Sequence, residues 1–486
     1  MDYDFKPLEE ILGSRLTADR FECRLYGKDL APLPKIVNLM FKTTPDAVVS
    51  PKTPKEVSEI MKFANKNKIP VTPRASATSA LGNVVPTRAG IVMDMSSMDN
   101  KIEINKEEKT VTVSSGVVWK KLEKALNQKG LALMTYPSSA PSATVGGWLS
   151  SPGYGIGTLK YGRVYEQVLK LELILPDGTV KQCSGDEKNK FLGTEGTTGI
   201  ITEAELKVRE LPESEVCHLL TFDSQEIFCD TLEQLVKLNP FNISYANKKY
   251  VDMVENAGGG SGHEYVNPGF NFKFRCLVVF NGSKKSVDES SENLNNIKKS
   301  GGVREEPQEL AREEWEERFN PMKIKRRGPT LLAGDLLIPL SKLNAVISKV
   351  NKININELGI EGTVASKDKI VVMPMYLTDE RRFPDFVFAL RHLKKMNDIA
   401  VSAGGVPYGT GLWNSPYVHK IMNKETFREK NELKKQVDSG NILNPDKYLG
   451  AKLTIPSLVF NPMIYGLSMF GAEIASKPLQ LMKLIK

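Results

Sequence analysis

Between residues 45 and 210 the apolar positions alternate between two periods. PDAVVSP reads as a short strand, and Val57, Ile60, Met61 and Ala64 then recur at the spacing of one helical face. IPVTPR and IVMDM follow as strand-like runs. Ile102/Ile104 and Val111/Val113 alternate on either side of a charged turn, as in a hairpin. Trp119, Leu122 and Leu126 make a second helical stripe. VLKLELILPDGTVKQC alternates around a Pro-Asp-Gly turn, and GIITEAELKV closes the segment as a further strand. Helices and hairpins mixed in this way predict an α+β domain.

Residues 216–425 carry longer helical patterns and predict a second domain. A loop, AGGGSGHE, falls at 257–264, and REEPQELAREEWEERF reads as a solvated helix anchored by Trp315 and Phe319. GDLLIPLSKLNAVISKV gives strand, Pro turn and helix, and FVFALRHLKKMNDIAV gives an amphipathic helix. TFREKNELKKQVDSGNILNPDKYLG is a helix stopped by SGN and an Asn-Pro turn. There is no internal repeat.

With 486 residues, 41% of them hydrophobic, the chain can bury two cores. Its 66 basic and 58 acidic residues are dispersed, and a net +8 argues for no nucleic-acid partner, although it suits an anionic cofactor or substrate. Cys23, Cys183, Cys217, Cys229 and Cys276 form neither a CxxC pair nor a metal-ligand spacing, so no zinc or iron–sulfur site is expected. MDYDFKPLEEILGSR lacks the basic-then-apolar pattern of a secretory signal, which predicts a cytoplasmic protein. No stretch is apolar enough to cross a bilayer.

The stretch PSSAPSATVGGWLSSPGYGIGTLKYG, residues 137–162, has the small-residue composition of a linker. Yet Val145, Trp148, Leu149, Tyr154, Ile156, Leu159 and Tyr161 are interleaved there, and burying them needs packed neighbours. Glycines in a packed loop let backbone N–H groups approach phosphate oxygens closely. A tight set of turns with no ligand fits the composition equally well.

The order PDAVVSPKTPKEVSEIMKFANKNKIPVTPRASAT, YPSSAPSATVGGW, LKYGRVYEQV, LPDGTV, FLGTEGTTGIITEA, IPLSKL and NILNPDKYLG breaks that tie. It resembles the FAD-linked oxidases of the vanillyl-alcohol-oxidase/PCMH superfamily, and within them the D-lactate dehydrogenase/glycolate-oxidase D-subunit branch, over residues 26–450. The resemblance implies an α+β fold: a PCMH-type FAD-binding domain of two α+β subdomains, with an α+β cap of the FAD-linked oxidase C-terminal type. Its implied divisions are an N-terminal segment 1–40, the FAD domain 41–215, the cap 216–425, a segment 426–455 returning to the FAD domain, and an apolar tail 456–486.

The resemblance also implies non-covalent FAD. Pro73, Arg74, Ala75, Ser76, Ala77, Thr78 and Ser79 match the PRGGGT pyrophosphate loop. Pro137, Ser138, Ser139, Thr144, Gly146 and Gly147 match the segment along the middle of the cofactor. Ser151, Pro152, Gly153 and Tyr154 match the run beside the flavin, and Glu195, Gly196, Thr197, Gly199, Ile200 and Ile201 match EGTLGII near the adenine. Two departures stand out. Ala75, Ser76 and Ala77 occupy glycine positions, where a positive φ costs a non-glycine residue roughly 1 kcal/mol. Trp148 stands where the hydroxy-acid branch has Asn, as GGW does in the alkyl-dihydroxyacetone-phosphate synthase branch.

For the chemistry, the branch implies hydride transfer from a small 2-hydroxy acid, D-lactate or glycolate-like, to flavin N5. The usual GHxGDGNxH and GEHG histidines are missing: Tyr408 stands in the second motif as the candidate catalytic residue, and Tyr376 lies in the first. Tyr376 and Arg327 are candidates for substrate binding, Arg327 because guanidinium grips oxyanions bidentately. No metal is expected. The branch further implies an iron–sulfur or electron-transfer flavoprotein partner. Packing on the cap, docking of that partner and peripheral membrane contact are all open to the tail. Two other readings stand beside this one: a non-catalytic flavin relay or assembly subunit, and a synthase-branch FAD enzyme.

Overall fold

The computed structural model describes residues 3–33, 41–257, 272–299, 301–319 and 323–450. The tail at 456–486 and most of the 257–264 loop, His263 included, lie outside the described residues. Among the described residues no helix is long and apolar enough to cross a membrane.

A small sheet begins the fold, with Ala47–Val49, Ile91–Asp94 and Val71–Arg74 parallel, and Leu16–Thr17 added antiparallel at one edge. The helix Pro54–Asn67 joins the first and third of these strands. Thr53 caps it by accepting the Glu56 N–H, Pro54 sits in its first turn, and left-handed Lys68 ends it. Its apolar face, Val57, Ile60, Met61 and Ala64, is fully buried against Ile69, Val71 and Ile91, as the spacing predicts. The two predicted hairpins join a second, antiparallel sheet: Ile102–Asn105 with Thr110–Ser114, and Val168–Ile174 with Val180–Ser184, held together by Ile200–Lys207 between them.

The region after residue 213 is mixed α+β, as expected of the cap, with more strand than its helical patterns alone suggest. Its helices are there, but they cover one antiparallel sheet of nine strands, in which Ser214–Phe222, Phe274–Gly282, Asn242–Asn247, Gly359–Val364 and Lys369–Thr378 are neighbours in that order. In Phe274–Gly282 the residues Cys276 to Phe280 are all buried, so the strand reads as a continuous apolar run without alternation. Periodicity alone does not separate such a run from a buried helix.

After the helix Lys424–Val437 the chain returns to the first sheet. The Val71 N–H donates to the Ile442 carbonyl at 2.8 Å, the Asn444 N–H donates to the Val71 carbonyl at 2.7 Å, and Arg88 pairs with Asp446 at 2.6 Å. The turn is held by Asp438, whose carboxylate accepts the N–H groups of Ile442 and Leu443 at 3.0 and 2.9 Å and the buried Lys434 ammonium at 2.5 Å. Removing one partner of a buried ion pair strands the other charge. Asp438→Ala is therefore expected to lower unfolding stability by about 3–5 kcal/mol in denaturant titration; a wild-type midpoint would contradict this account of the turn.

Candidate cofactor cleft

A cleft opens where the two small sheets, the glycine-rich stretch and a loop from the large sheet converge. Its space, counted out to and including the open mouth, is ≈ 1250 Å³. One wall is the loop after Val71–Arg74. Ala77 takes a left-handed φ of 51° there, and among the described residues no acceptor takes the N–H groups of Ser76, Ala77 and Thr78. Backbone donors left open in such a run can hold a ligand's oxygens as a nest. Ala75 and Ser76 keep negative φ, so only one of the three glycine replacements carries strain.

The opposite wall starts at Thr144, whose hydroxyl accepts the Gly147 N–H at 3.2 Å and so caps the short helix Val145–Leu149. This helix lies as close to its neighbours as backbone permits. A Cβ on Gly146 would meet the Ser115 Cβ at 2.5 Å, and one on Gly147 would meet the Ala75 Cβ at 2.8 Å. Trp148 packs edge-on against Trp119, with ring centroids 5.3 Å apart, and Gly153 passes beside its indole nitrogen. The linker-like composition thus serves close packing.

The structure brings Pro73, Arg74, Ala75, Ser76, Ala77, Thr78, Ser79, Ser139, Thr144, Gly146, Gly147, Ser151, Pro152, Gly153, Glu195, Gly196, Gly199, Ile200, Ile201 and Tyr408 into this one lining. Six other expectations are placed elsewhere. Pro137 is buried and Ser138 exposed, both off the lining. Thr197 is fully buried, its hydroxyl donating to the Thr194 carbonyl at 2.7 Å. Tyr154 stands behind the wall, edge-on to Tyr408 at 5.7 Å. Tyr376 is in the core of the large-sheet domain, its hydroxyl donating to the Ala389 carbonyl at 2.5 Å, and Arg327 pairs with Glu357 at 3.5 Å on the surface. Neither lines the cleft, because strand Lys369–Thr378 turns Tyr376 toward the covering helix.

Tyr408 reaches the cleft but not as a base. Burial pushes its hydroxyl well above the ordinary 10, and the nearby Asp335, Tyr154 and Glu361 push the same way. It stays protonated, a hydroxyl able to donate but not to take a proton. The sequence reading also missed Leu81, Asn83, Val84, Met95, Ser115, Ala143, Ser150, Gly409 and Thr410 in the lining. Gly409 and Thr410 follow Tyr408 in a glycine-containing GTG run, a signal that was present; Asn83, Met95 and Ser115 lie outside any glycine cluster.

Two protein-family profiles match the chain, one described as an FAD binding domain over residues 45–184 and one as the FAD linked oxidase C-terminal domain over 211–448. The glycolate oxidase subunit GlcD of Bacillus subtilis is 26% identical over 444 residues, covering 87% of this chain and 91% of that protein. A D-lactate dehydrogenase of Archaeoglobus fulgidus is 28% identical over 424 residues, 82% of this chain and 90% of its own. An alkyldihydroxyacetonephosphate synthase of Dictyostelium discoideum is 28% identical over 290 residues, 54% and 47% respectively. Among solved structures, p-cresol methylhydroxylase with substrate bound superposes with a TM-score of 0.77, at 17% identity over 92% of this chain and 96% of its own.

The cofactor of these domains is FAD, and the cleft fits it. Two lining residues, Ser115 and Thr410, also carry buried hydroxyls that have no hydrogen-bond partner among the described residues. Backbone strain in this loop gives two substitutions of opposite sign. Ala77→Gly is expected to raise unfolding stability by about 1 kcal/mol, and Ala75→Gly to lower it by about 0.5–1 kcal/mol. Denaturant unfolding of both variants tests this, and equal signs would contradict the loop geometry.

Proposed function

We propose, since the chain belongs to the FAD-linked oxidases of the vanillyl-alcohol-oxidase/PCMH superfamily, that it oxidises the CH–OH group of a small 2-hydroxy acid of the D-lactate or glycolate type. The electrons then pass to a partner protein. One observation carries the reading: the likeness to the glycolate oxidase and D-lactate dehydrogenase chains runs through both domains and nearly end to end.

When bound, FAD supplies the hydride acceptor. The chain supplies position. The nest at Ser76–Thr78 and the close-packed glycines hold the diphosphate and middle of the cofactor, while Trp148 and Tyr408 close the cleft beyond them. The Tyr408 hydroxyl, kept protonated, donates a hydrogen bond to a substrate oxygen. A partner is called for because the five cysteines are buried and separate, which leaves no cluster of the chain's own to carry electrons away.

A second reading has its own support. Among the described lining residues the only Lys or Arg is Arg74, whose guanidinium already donates to the Lys28 carbonyl at 2.5 Å and lies over the Tyr26 ring. A substrate carboxylate would have only neutral donors. A synthase-type relative of the alkyldihydroxyacetonephosphate kind stands beside oxidation on the strength of Trp148 and the match to such a synthase. Anaerobic addition of D-lactate, glycolate and other 2-hydroxy acids to the purified flavoprotein separates the two. Bleaching of the flavin band by one acid is expected; a yellow protein that none of them reduces would count against oxidation, and a colourless one would point to an assembly role.

A further inference from the structure

Oxidation of a hydroxyl needs somewhere for its proton to go, and Tyr408 is already protonated. The described histidines are placed for other work. His218 is bonded to Glu305 at 2.7 Å and Ser291 at 3.2 Å, His392 packs edge-on to Tyr376, and His419 is on the short helix Val418–Ile421. None lines the cleft.

Asp335 is not part of the lining itself but stands directly behind it, against Gly409. It lies in the tight turn between Thr330–Ala333 and Leu336–Pro339, and its carbonyl accepts the Tyr408 N–H at 3.0 Å. Its carboxylate rests against the cleft wall, with Oδ2 only 2.8 Å from where a Cβ on the lining residue Gly409 would stand. No described residue donates a hydrogen bond to that carboxylate and none forms an ion pair with it. It is deep in the protein yet keeps part of its surface open. The groups that face it are Tyr408, Tyr154 and Glu361, the last from strand Gly359–Val364 and bonded to Tyr250. Arg163 lies over the Tyr154 ring, its guanidinium 5.1 Å from the centroid.

We propose that Asp335 is the residue that accepts the substrate hydroxyl proton, an assignment that rests on the oxidation reading above. The O–H proton passes to an Asp335 carboxylate oxygen and the carbon–oxygen double bond forms. The C–H bond breaks with its electron pair leaving as hydride, which the bound flavin takes up. The product is the 2-oxo acid. Burial alone pushes the Asp335 carboxyl up to about 6, so the carboxylate is present at neutral pH but basic enough to take a proton. A carboxylate without partners destabilises the fold, and its retention at the cleft fits a functional rather than a structural role.

Because this carboxyl ionises less readily folded than unfolded, its favourable contribution is present below the ordinary value near 4 and lost as pH rises through about 6. Thermal unfolding of Asp335→Asn and wild type from pH 4 to 8, without added substrate, should show the variant gaining stability relative to wild type as pH rises; a pH-independent difference overturns the buried-carboxylate assignment. With FAD loaded to the same content, Asp335→Asn should slow anaerobic flavin reduction by about 10²–10⁴-fold and lose the acid limb near pH 6. Should Asn misfold, Asp335→Ala with added formate serves, and formate is expected to restore part of the rate. Wild-type reduction that is undiminished in either variant overturns the assignment alone. A wild type that no hydroxy acid reduces removes the oxidation reading, and the assignment with it.

Discussion

Glu195 is where three stretches of chain, far apart in sequence, are fastened together. Its backbone takes a left-handed φ of 52°, its carbonyl accepts the Asn444 side-chain amide at 2.7 Å, and its carboxylate accepts the Gly411 N–H at 3.1 and 3.2 Å. Lys447, fully buried beside it, donates to the Asn83 carbonyl at 3.1 Å and to Asn444 at 2.6 Å. Burial pushes the Glu195 carboxyl up and the Lys447 ammonium down, so both groups are held by geometry more than by charge. Asn444, Asp446 and Tyr448 also take positive φ nearby, conformations that persist only where surrounding contacts over-determine them. If this knot loosened, the floor of the cleft, the loop from the large sheet and the C-terminal return would lose register together.

The site follows from that constraint. Gly196 comes next at φ 64°, and a Cβ there would stand 2.8 Å from the Pro73 ring, which brings the 195–201 loop against the base of the nest. Gly411 carries Tyr408, Gly409 and Thr410 across from the large-sheet domain, and Asp335 rides with them through the Tyr408 N–H. The 73–79 and 144–153 stretches and the Tyr408–Thr410 run therefore come from different sheets and line one cleft.

Much of the first domain was legible because its elements expose one face and bury the other. The Val57–Ala64 stripe and the 102–113 hairpin show their periods openly. The aromatic residues among the glycines of 137–162 betrayed a packed wall, and Gly146 and Gly147 are among the residues that line the cleft. The large sheet was illegible for the opposite reason, since strands such as Phe274–Gly282 are covered on both sides and lose alternation. Tyr376 was misplaced because sequence order says which strand holds a residue but not which face it takes. Asp335 passed unnoticed inside GDLLIP, where a single acid at a strand entrance looks like a turn residue. Only its neighbours in space, Gly409 and Tyr408, give it meaning.

The close approach of Gly147 to Ala75 joins two walls of the cleft that FAD would occupy. Measuring FAD bound per chain, and its affinity for the flavin-free protein, for wild type and Gly147→Val is the most direct test. A valine forces the 75–79 loop aside, an overpacking cost of about 1–3 kcal/mol, or roughly 5- to 150-fold in affinity. The predicted result is one FAD per wild-type chain and binding weakened to that extent in a variant that still folds. A wild type that binds no FAD, or a folded variant that binds it as tightly, would contradict the account.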